Sequence, residues 1–340
     1  MRHVLKAAAL AIVSLSVPAW ADGCTGQNLF DTMPADKKAR IDAAVRDVPF
    51  RDGLLFRASK GELQITLVGT YHFGDDRHAP MVKRLQPVIA DAAALYVEAG
   101  PREEARLTEA LQSDPSLMVD ADGPTLPERL SPDEWQQLSD AMSDRGSPAV
   151  ITSRLRPWYV SMMLGISPCM LDAMEKSGGK TGGLDHLLVH QAQQQQTPIH
   201  ALEPWDTIFD LYSDLTPAQE VDMIRTALPS AAHADDYAVT LTDAYFSGNV
   251  WEIWEFGRFD AYENSGLPKS EVDEQMALAQ DRLMDNRNRK WIGVLTEGAD
   301  KAHRDGKGIV AAFGALHLPG KAGVLNLLQE QGYSVQRLDG

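Results

Sequence analysis

The amino-acid sequence predicts an α/β (α+β) fold in which a central mixed or largely parallel sheet carries a large helical insertion. Short apolar runs bounded by glycine or proline alternate with longer stretches of helical periodicity, an order typical of strand–helix–strand units. Most strand candidates lie near the two ends of the chain, whereas residues 102–305 are mostly helical. We therefore expect the two ends of the chain to build the sheet and the middle to cover it as a cap.

The chain opens with the pattern of an export signal. Arg2 and Lys6 precede an apolar stretch, residues 7–20, that is shorter than the ~20 residues a membrane span requires. The segment AWA that ends at Ala21 has the small-x-small pattern that signal peptidase cuts. We therefore expect cleavage near Ala21 and a periplasmic or secreted mature protein. A retained N-terminal anchor is the alternative.

Strands and helices alternate along the rest of the chain. Five short apolar runs bounded by glycine or proline are predicted strands. In chain order they are residues 63–68, 95–98, 198–203, 309–313 and 333–338. Seven stretches have helical periodicity, namely residues 81–94, 102–111, 132–142, 184–195, 217–228, 271–302 and 322–331. The alternation implies a sheet that is at least partly parallel.

Composition restricts the class of partner. The chain has 48 acidic and 32 basic residues, a formal charge of -16, and loss of Arg2 and Lys6 with the leader would bring it to -18. Such a surface repels nucleic acid and anionic lipid, so we expect neither as a partner. No apolar run after the leader reaches spanning length. We expect residues 22–340 to form a single domain, and the oligomeric state stays open.

The two cysteines of the chain are Cys24 and Cys169. After export they would meet an oxidising compartment, where one disulfide could tie down the mature N-terminus. The sequence alone does not show whether the two residues are close.

Three titratable residues stand at the ends of predicted strands. His72 comes just after the first strand, Glu98 ends the second, and His317 follows the fourth. Ligands of open α/β sheets bind outside the carboxyl ends of the strands, so parallel strands would bring these residues to one edge. Both histidines end a G-x-x-H motif, residues 69–72 (GTYH) and 314–317 (GALH). Glycine there permits a tight exit from the strand or a close backbone approach.

Two neutral imidazoles and one carboxylate are a common catalytic metal set, because three protein ligands leave positions open for water and substrate. We therefore predict a divalent metal (Mn, Co or Zn) held by His72, Glu98 and His317, a ligand set that also suits iron. The metal would lower the pKa of bound water and polarise a carbonyl group, which permits hydrolysis without a covalent intermediate. A hydrogen-bonded structural histidine is the alternative for each motif.

Further residues are candidates for the same site. Arg287 and Asn288 lie in the predicted helix that would pass the site, where a guanidinium could hold a carboxylate or a developing oxyanion. Glu203 ends a predicted strand and is a candidate fourth ligand or general base. Together with Glu98, these residues are the predicted catalytic set. The alternative for Arg287 and Asn288 is that they lie on a solvent-exposed face of the helix. The alternative for Glu203 is that it caps the start of the following helical turn.

Two other features are assigned structural roles. His78 ends a polar stretch, residues 74–78 (GDDRH), which is typical of an exposed turn, so we expect it to face solvent. Trp251, Trp254 and Phe256 could line a peptide groove, but core packing of the cap is the favoured interpretation.

The motifs resemble those of the TraB/GumN family. The similarity rests on LVGTYH at residues 67–72, YVE at residues 96–98 and AFGALHLPGKAGV at residues 312–324. It extends in the family's order over about residues 50–338. Shorter agreements occur at residues 183–185, 202–203, 287–288 and 332–335.

The resemblance implies a metal-dependent peptidase with His72, Glu98 and His317 at its centre. The family is related to the Tiki proteins, membrane-associated metalloproteases of animals, which share two G-x-x-H motifs and an acidic residue. Tyr71 and Leu316 depart from the family's usual aliphatic residue and glycine at these positions, and either could narrow the site without removing a ligand.

Three functions are therefore compatible with the sequence. An exported metallohydrolase is favoured, and the resemblance implies a peptide or protein substrate. A non-enzymatic periplasmic protein that binds a peptide or a metal in the same crevice is the second hypothesis. A metal-independent esterase that uses a His–Glu pair is the third, suggested by the distant similarity of this fold to erythromycin esterases.

Overall fold

The structure is a computed structural model that describes residues 24–176 and 182–339. The predicted leader, residues 1–21, lies outside the described residues and stays a prediction. The described residues form one sheet of six strands. In chain order these are β1 (Leu55–Lys60), β2 (Leu63–Thr70), β3 (Leu95–Val97), β4 (Ile199–Ala201), β5 (Ile309–Gly314) and β6 (Ser334–Arg337).

The sheet is mixed and places the predicted strands side by side. Its spatial order is β4-β3-β5-β2-β1-β6. Strands β2, β5, β3 and β4 are parallel to one another, and β1 runs antiparallel to both β2 and β6. The predicted α/β class is confirmed. The carboxyl ends of β2, β5 and β3, which are neighbours, therefore meet at one edge.

The longer helices surround this sheet. In chain order they are α1 (Ala35–Val45), α2 (Ala79–Asp91), α3 (Pro101–Ser113), α4 (Pro132–Ser143), α5 (Pro157–Leu164), α6 (Pro168–Lys176), α7 (Leu184–Gln194), α8 (Pro217–Ala232), α9 (Ala234–Phe246), α10 (Val250–Asn264), α11 (Lys269–Gln280), α12 (Asn286–His303) and α13 (Val324–Glu330). Short turns of α-helix lie at Leu29–Thr32, Leu126–Arg129, Ala149–Thr152 and Thr207–Asp210. Turns of 3₁₀-helix lie at Asp76–His78, Pro115–Leu117 and Ala315–His317, and a π-helical turn lies at Asp281–Asp285.

Helices pack on both faces of the sheet because side chains alternate between the faces along each strand. On one face, Leu67 and Phe313 pack with Trp291 of α12 and with α13. On the other face, Val68 packs with α2 and with Leu188 of α7. The result is a three-layer arrangement in which the sheet is buried between helices.

The middle of the chain does more than roof the sheet edge. It contributes β4 to the sheet, α7 to one face and α12 to the other. The remaining helices have cores of their own, one around Leu138 and Ile224 and another around Ile41, Trp251 and Phe256. Trp251 and Phe256 are 6% and 2% exposed, and Trp254 is partly buried against the same core, so the predicted core packing of these three residues is confirmed.

Some elements differ from the prediction. Strand β1 and helices α1, α5, α6, α9 and α10 were not anticipated by apolar periodicity. The single helix predicted over residues 271–302 is α11 followed by the π-helical turn and then α12.

A disulfide bond joins Cys24 to Cys169, whose Cα atoms are 5.3 Å apart. The N-terminal segment is thereby tied to α6. Among the helices that the structure describes, none is long and apolar enough to cross a membrane.

Candidate functional site

The predicted site residues meet where the parallel strands end. His72 lies two residues beyond β2, Glu98 follows β3 directly, and His317 ends the 3₁₀ turn that follows β5. Gly69 permits this arrangement, because a Cβ at that position would lie 2.7 Å from Leu318 Cδ1 and 3.0 Å from Ala315 Cβ. The glycine of the first motif therefore packs against the turn that carries the second histidine.

Gly314 lies at the centre of the three predicted ligands. A Cβ on this residue would be 3.2 Å from Glu98 Oε1, 3.4 Å from His72 Nε2 and 3.6 Å from His317 Cδ2. The Gly314 amide also donates a hydrogen bond of 2.6 Å to Glu98 Oε1. The absent side chain thus leaves a cradle, the Gly314 cradle, which is bordered by both imidazoles and the carboxylate.

The hydrogen bonds of His317 determine which ring nitrogen carries the proton. The Asn288 side-chain amide donates to the Ala322 carbonyl at 2.9 Å, which turns Asn288 Oδ1 towards His317 Nδ1 at 2.6 Å. Because that oxygen only accepts, Nδ1 is the protonated nitrogen and Nε2 carries the lone pair. Nε2 lies 3.9 Å from Glu98 Oε1 and accepts from Arg287 Nη1 at 3.2 Å.

His72 is oriented in the same way by a carboxylate. Its Nδ1 lies 3.3 Å from Asp185 Oδ2, so Nδ1 donates and Nε2 is left on the side of the Gly314 cradle. Partial desolvation by neighbouring residues opposes the charge on His72, whose side chain is still half exposed, but the hydrogen bond with Asp185 and the neighbouring carboxylates raise its pKa to about 9. Metal binding would therefore have to displace a proton from His72.

The other two predicted ligands are held in the protonation states that ligation requires. Burial, which disfavours the charged ring, lowers the pKa of His317 to about 3, against the opposing effect of Glu98. Burial opposes the charge on Glu98 too, but His317, Arg287 and His72 outweigh it and lower the pKa of Glu98 to about 2. At neutral pH the pair is a neutral imidazole beside a carboxylate.

Arg287 links the two acids of the site. Its guanidinium donates to Glu98 Oε2 at 2.6 Å and to Glu203 at 2.9 and 2.5 Å. Trp291 donates its indole N–H to Glu203 Oε2 at 3.2 Å, and its ring lies 4.4 Å from that of His317. Burial raises the pKa of Glu203, although Arg287 opposes the shift. Glu203 is therefore the site acid that holds a proton most readily.

Two imidazoles and a carboxylate are donors that suit a divalent metal, but their ligand atoms lie further apart than shared coordination requires. His72 Nε2 and the His317 ring lie beside the Glu98 carboxylate at the Gly314 cradle. To bind a metal, His72 must lose a proton and His317 Nε2 must give up its hydrogen bond from Arg287. In the described part of the chain, however, only Cys24, Cys169 and Asp235 bring three candidate ligand atoms within 4.8 Å of one another, and those cysteines are closed as a disulfide. Shared coordination by the predicted ligands therefore requires some movement.

His72 is the most exposed of the three predicted ligands. Its side chain is 53% exposed, compared with 19% for Glu98 and 6% for His317.

Sequence reasoning missed three residues at this edge. A cleft of about 160 Å³ beside the Gly314 cradle is lined by His72 and Glu98 and also by Glu104, Asp185 and His186. Asp185 stands in the first turn of α7, and its place in the motif GLD was a signal that could have drawn attention to it. His186 and Glu104 had no such local signal.

The prediction that His78 faces solvent is wrong. The residue is 1% exposed, and its Nε2 lies 3.0 Å from the Phe73 carbonyl oxygen. Its ring packs 5.0 Å from that of Phe246. The polar neighbours do line a turn, but the turn is a 3₁₀-helix whose last residue points inward. His78 therefore has a structural environment outside the predicted ligand set.

Two comparisons with known proteins give matches over most of the chain. The Escherichia coli (strain K12) protein described as uncharacterized protein YbaP is 25% identical over 271 residues, which cover 79% of this chain and 89% of that protein. The family model described as the TraB/PrgY/gumN family matches residues 54–337, a span that includes every strand of the sheet and all the predicted site residues. The chain belongs to the TraB/PrgY/gumN family.

Proposed function

We propose that this protein is an exported metal-dependent hydrolase that cleaves peptides, with His72, Glu98 and His317 as the metal ligands. The observation that carries the proposal is the Gly314 cradle, which is bordered by His72 Nε2, the His317 ring and the Glu98 carboxylate, with His317 Nε2 3.9 Å from Glu98 Oε1. Each imidazole has its Nδ1 held by an acceptor, as is usual for histidines that ligate metals. Mn, Co and Zn all suit this ligand set.

The chain's own groups have separable tasks in this proposal. A bound divalent metal would supply an activated water and polarise the substrate carbonyl. Glu98 remains ionised beside it, and the positive charge of Arg287 compensates the Glu98 and Glu203 carboxylates that it binds. Glu203, whose pKa is raised by burial, is the candidate to accept a proton from water and deliver it to the leaving amine.

Export is part of the proposal. The disulfide between Cys24 and Cys169 is the kind of bond that persists in oxidising compartments. The mature protein is expected to begin near Asp22 and to reside in the periplasm or outside the cell. Mass measurement of the protein recovered from a periplasmic fraction checks both points.

The decisive experiment incubates mature protein with a mixed peptide pool, with and without Mn²⁺, Co²⁺ or Zn²⁺. His72→Ala and His317→Ala are assayed in parallel, and His303→Ala serves as the matched control because His303 is exposed at the end of α12. We expect cleavage only by the metal-loaded parent protein and the control. Mass spectrometry of the peptides gives the cleaved bonds, and metal analysis gives the stoichiometry.

The same experiment distinguishes the competing functions. Cleavage that survives exhaustive chelation would reject the metal mechanism and favour metal-independent hydrolysis by a His–Glu pair, the chemistry of the esterase hypothesis. An uncut peptide pool that nevertheless raises the melting temperature would indicate a binding protein, since ligands stabilise the folded state to which they bind. Metal stoichiometry that is unchanged in both histidine variants would reject the assigned ligands.

A further inference from the structure

Three side chains outside the predicted ligand set form a continuous line of contacts that ends on His72. Asp185 Oδ2 lies 3.3 Å from His72 Nδ1 and 3.4 Å from His186 Nδ1. The other ring nitrogen of His186, Nε2, lies 3.2 Å from Glu104 Oε1. Because both partners of His186 are carboxylates, which accept hydrogen bonds, both of its ring nitrogens donate. Asp185 is thereby held from two sides.

We propose that Asp185, His186 and Glu104 are positioning residues that fix the imidazole of His72 in the orientation required for metal binding. We call these three residues the positioning chain. The inference rests on the proposed function, because it concerns one of the proposed ligands. It goes beyond that function by assigning a task to side chains that take no part in ligation.

The need for such a chain follows from the exposure of His72. The His72 side chain is 53% exposed, so packing alone does not hold its ring. His317 is different, because it is 6% exposed and lies against Trp291. A ring that solvent can reach is free to rotate unless a hydrogen bond fixes one of its nitrogens. Asp185 supplies that bond, and the contacts beyond it hold the carboxylate in place.

The backbone supports the same geometry. The Leu184 amide donates to the Tyr71 carbonyl oxygen at 3.0 Å, which attaches the start of α7 to the first motif. Gly183 allows this approach, since a Cβ there would lie 2.3 Å from the His72 carbonyl carbon. Glu104 stands in the first turn of α3, the helix that begins three residues after Glu98. The positioning chain therefore connects the helix that follows one ligand to the segment that carries another.

The test uses Glu104→Ala, which removes the far end of the positioning chain without touching His72 or Asp185. Glu109→Ala is the matched control, because Glu109 is an exposed acid on the same helix. Glu104→Gln keeps an acceptor oxygen for His186 and is the rescue variant. Co²⁺ is titrated into each metal-free protein, and both affinity and the visible absorption spectrum of bound Co²⁺ are recorded.

We expect Glu104→Ala to weaken Co²⁺ binding about tenfold, the lower end of the losses seen when outer-shell partners of metal ligands are removed. Its Co²⁺ spectrum should differ from that of the parent protein, whereas Glu109→Ala should match the parent. Glu104→Gln should recover most of the affinity. Equal affinities and spectra in the two alanine variants would overturn the proposal.

A metal-free measurement separates this proposal from the proposed function. Nuclear magnetic resonance of ¹⁵N-labelled histidine side chains reports the hydrogen bonding of each ring nitrogen, and His72→Ala identifies the His72 signals. We expect these signals to shift in Glu104→Ala and to stay unchanged in Glu109→Ala. If the parent protein takes up no Co²⁺ at all, the proposed ligands fail, while the His72 signals still decide the positioning role.

A second variant guards against a failure of Glu104→Ala to fold. His186→Ala interrupts the positioning chain one contact closer to His72, and we expect it to shift the His72 signals in the same way. Unchanged His72 signals in a folded His186→Ala protein would contradict the proposal.

Discussion

At the scale of single residues, the site is defined as much by an absent side chain as by those that are present. Gly314 has φ -47° and ψ 131°, so its backbone does not require glycine. What requires glycine is the space in front of it, where a methyl group would crowd Glu98 and His72. Glycine at the first position of the second G-x-x-H motif therefore leaves space between the side chains of His72, Glu98 and His317.

Gly314→Ala should impair metal binding with little effect on the fold. The added methyl group should fill the Gly314 cradle and weaken Co²⁺ or Zn²⁺ binding about tenfold or more, as is common when the surroundings of a metal ligand are disturbed. The melting temperature should fall only slightly, because alanine accepts the negative φ of Gly314 and a small shift of the Glu98 side chain would relieve its 3.2 Å contact with the new Cβ. Metal titration by calorimetry and thermal unfolding of the metal-free protein check the two parts.

The matched control for this prediction is Gly293→Ala. A Cβ on Gly293 would meet no atom within 4 Å, and the residue lies on α12 beyond Trp291. Its metal affinity should equal that of the parent. If Gly314→Ala binds metal as tightly as the control, the cradle is not where the metal sits.

At the scale of elements, the segment that delivers Arg287 and Asn288 is the least regular of the long helices. The π-helical turn Asp281–Asp285 separates α11 from α12. Single π-helical turns inside α-helices are frequent at functional sites. Met284, within the turn, packs with the core around α1 and α10, whereas Trp291 on α12 packs with the sheet. The π-helical turn therefore connects a segment that packs in the core around α1 and α10 to a helix, α12, that packs against the sheet.

The elements also show what local sequence can and cannot predict. The five strands predicted from apolar runs are present in the structure. They could be predicted because residues that interrupt regular structure flank each run. Strand β1 was missed because Arg57 and Lys60 interrupt its apolar residues. Its existence depends on pairing with β2 on one side and β6 on the other, and these tertiary contacts leave little trace in the local pattern.

An ion pair on helix α4 should make the stability of the fold depend on pH. Glu134 on α4 accepts from Arg225 on α8 at 2.6 Å and from the Ser131 amide at 2.7 Å. The hydrogen bond with Arg225, helped by Ser131, lowers the pKa of Glu134 to about 2. A lowered pKa means that the carboxylate stabilises the fold above its ordinary pKa of about 4.5, and that this contribution is lost as the pH falls towards 2.

Glu134→Gln should therefore lower the free energy of unfolding at pH 7 by about 1 kcal/mol, the size expected of a partly exposed ion pair. The difference from the parent protein should shrink between pH 4.5 and pH 2 and then vanish. Urea unfolding at a series of pH values measures it. Asp133→Asn, an exposed neighbour on the same helix, should show no comparable loss at pH 7. A Glu134→Gln deficit that stays constant down to pH 2 would contradict the linkage.

At the scale of the whole molecule, the candidate site exists only when distant parts of the chain are assembled. Its proposed ligands come from the ends of β2, β3 and β5, and the groups that orient them come from α7 and α12. Parallel strand order made the first group predictable, because carboxyl ends of neighbouring parallel strands meet. The contacts among Glu104, Asp185 and His186 were not predictable, since they depend on how α3 and α7 pack.

The N-terminal segment is held by residues that lie far along the chain. The disulfide between Cys24 and Cys169 spans 145 positions. Just after it, the Gln27 amide donates to Asp236 Oδ1 at 2.6 Å and the Leu29 amide donates to Thr240 Oγ1 at 2.8 Å. These contacts attach the segment to α9, so the disulfide and α9 together hold the N-terminus on the helical part of the molecule.

Replacing both cysteines, Cys24→Ser with Cys169→Ser, should lower the free energy of unfolding by about 2–4 kcal/mol, because a long covalent loop restricts the unfolded chain. The Co²⁺ affinity should not change, since none of the proposed ligands or positioning residues contacts either cysteine in the described residues. Thermal unfolding with and without reductant supplies the control, because reductant should lower the melting temperature of the parent protein and leave that of the double variant unchanged. A double variant as stable as the oxidised parent would show that the contacts with α9 suffice to hold the N-terminus.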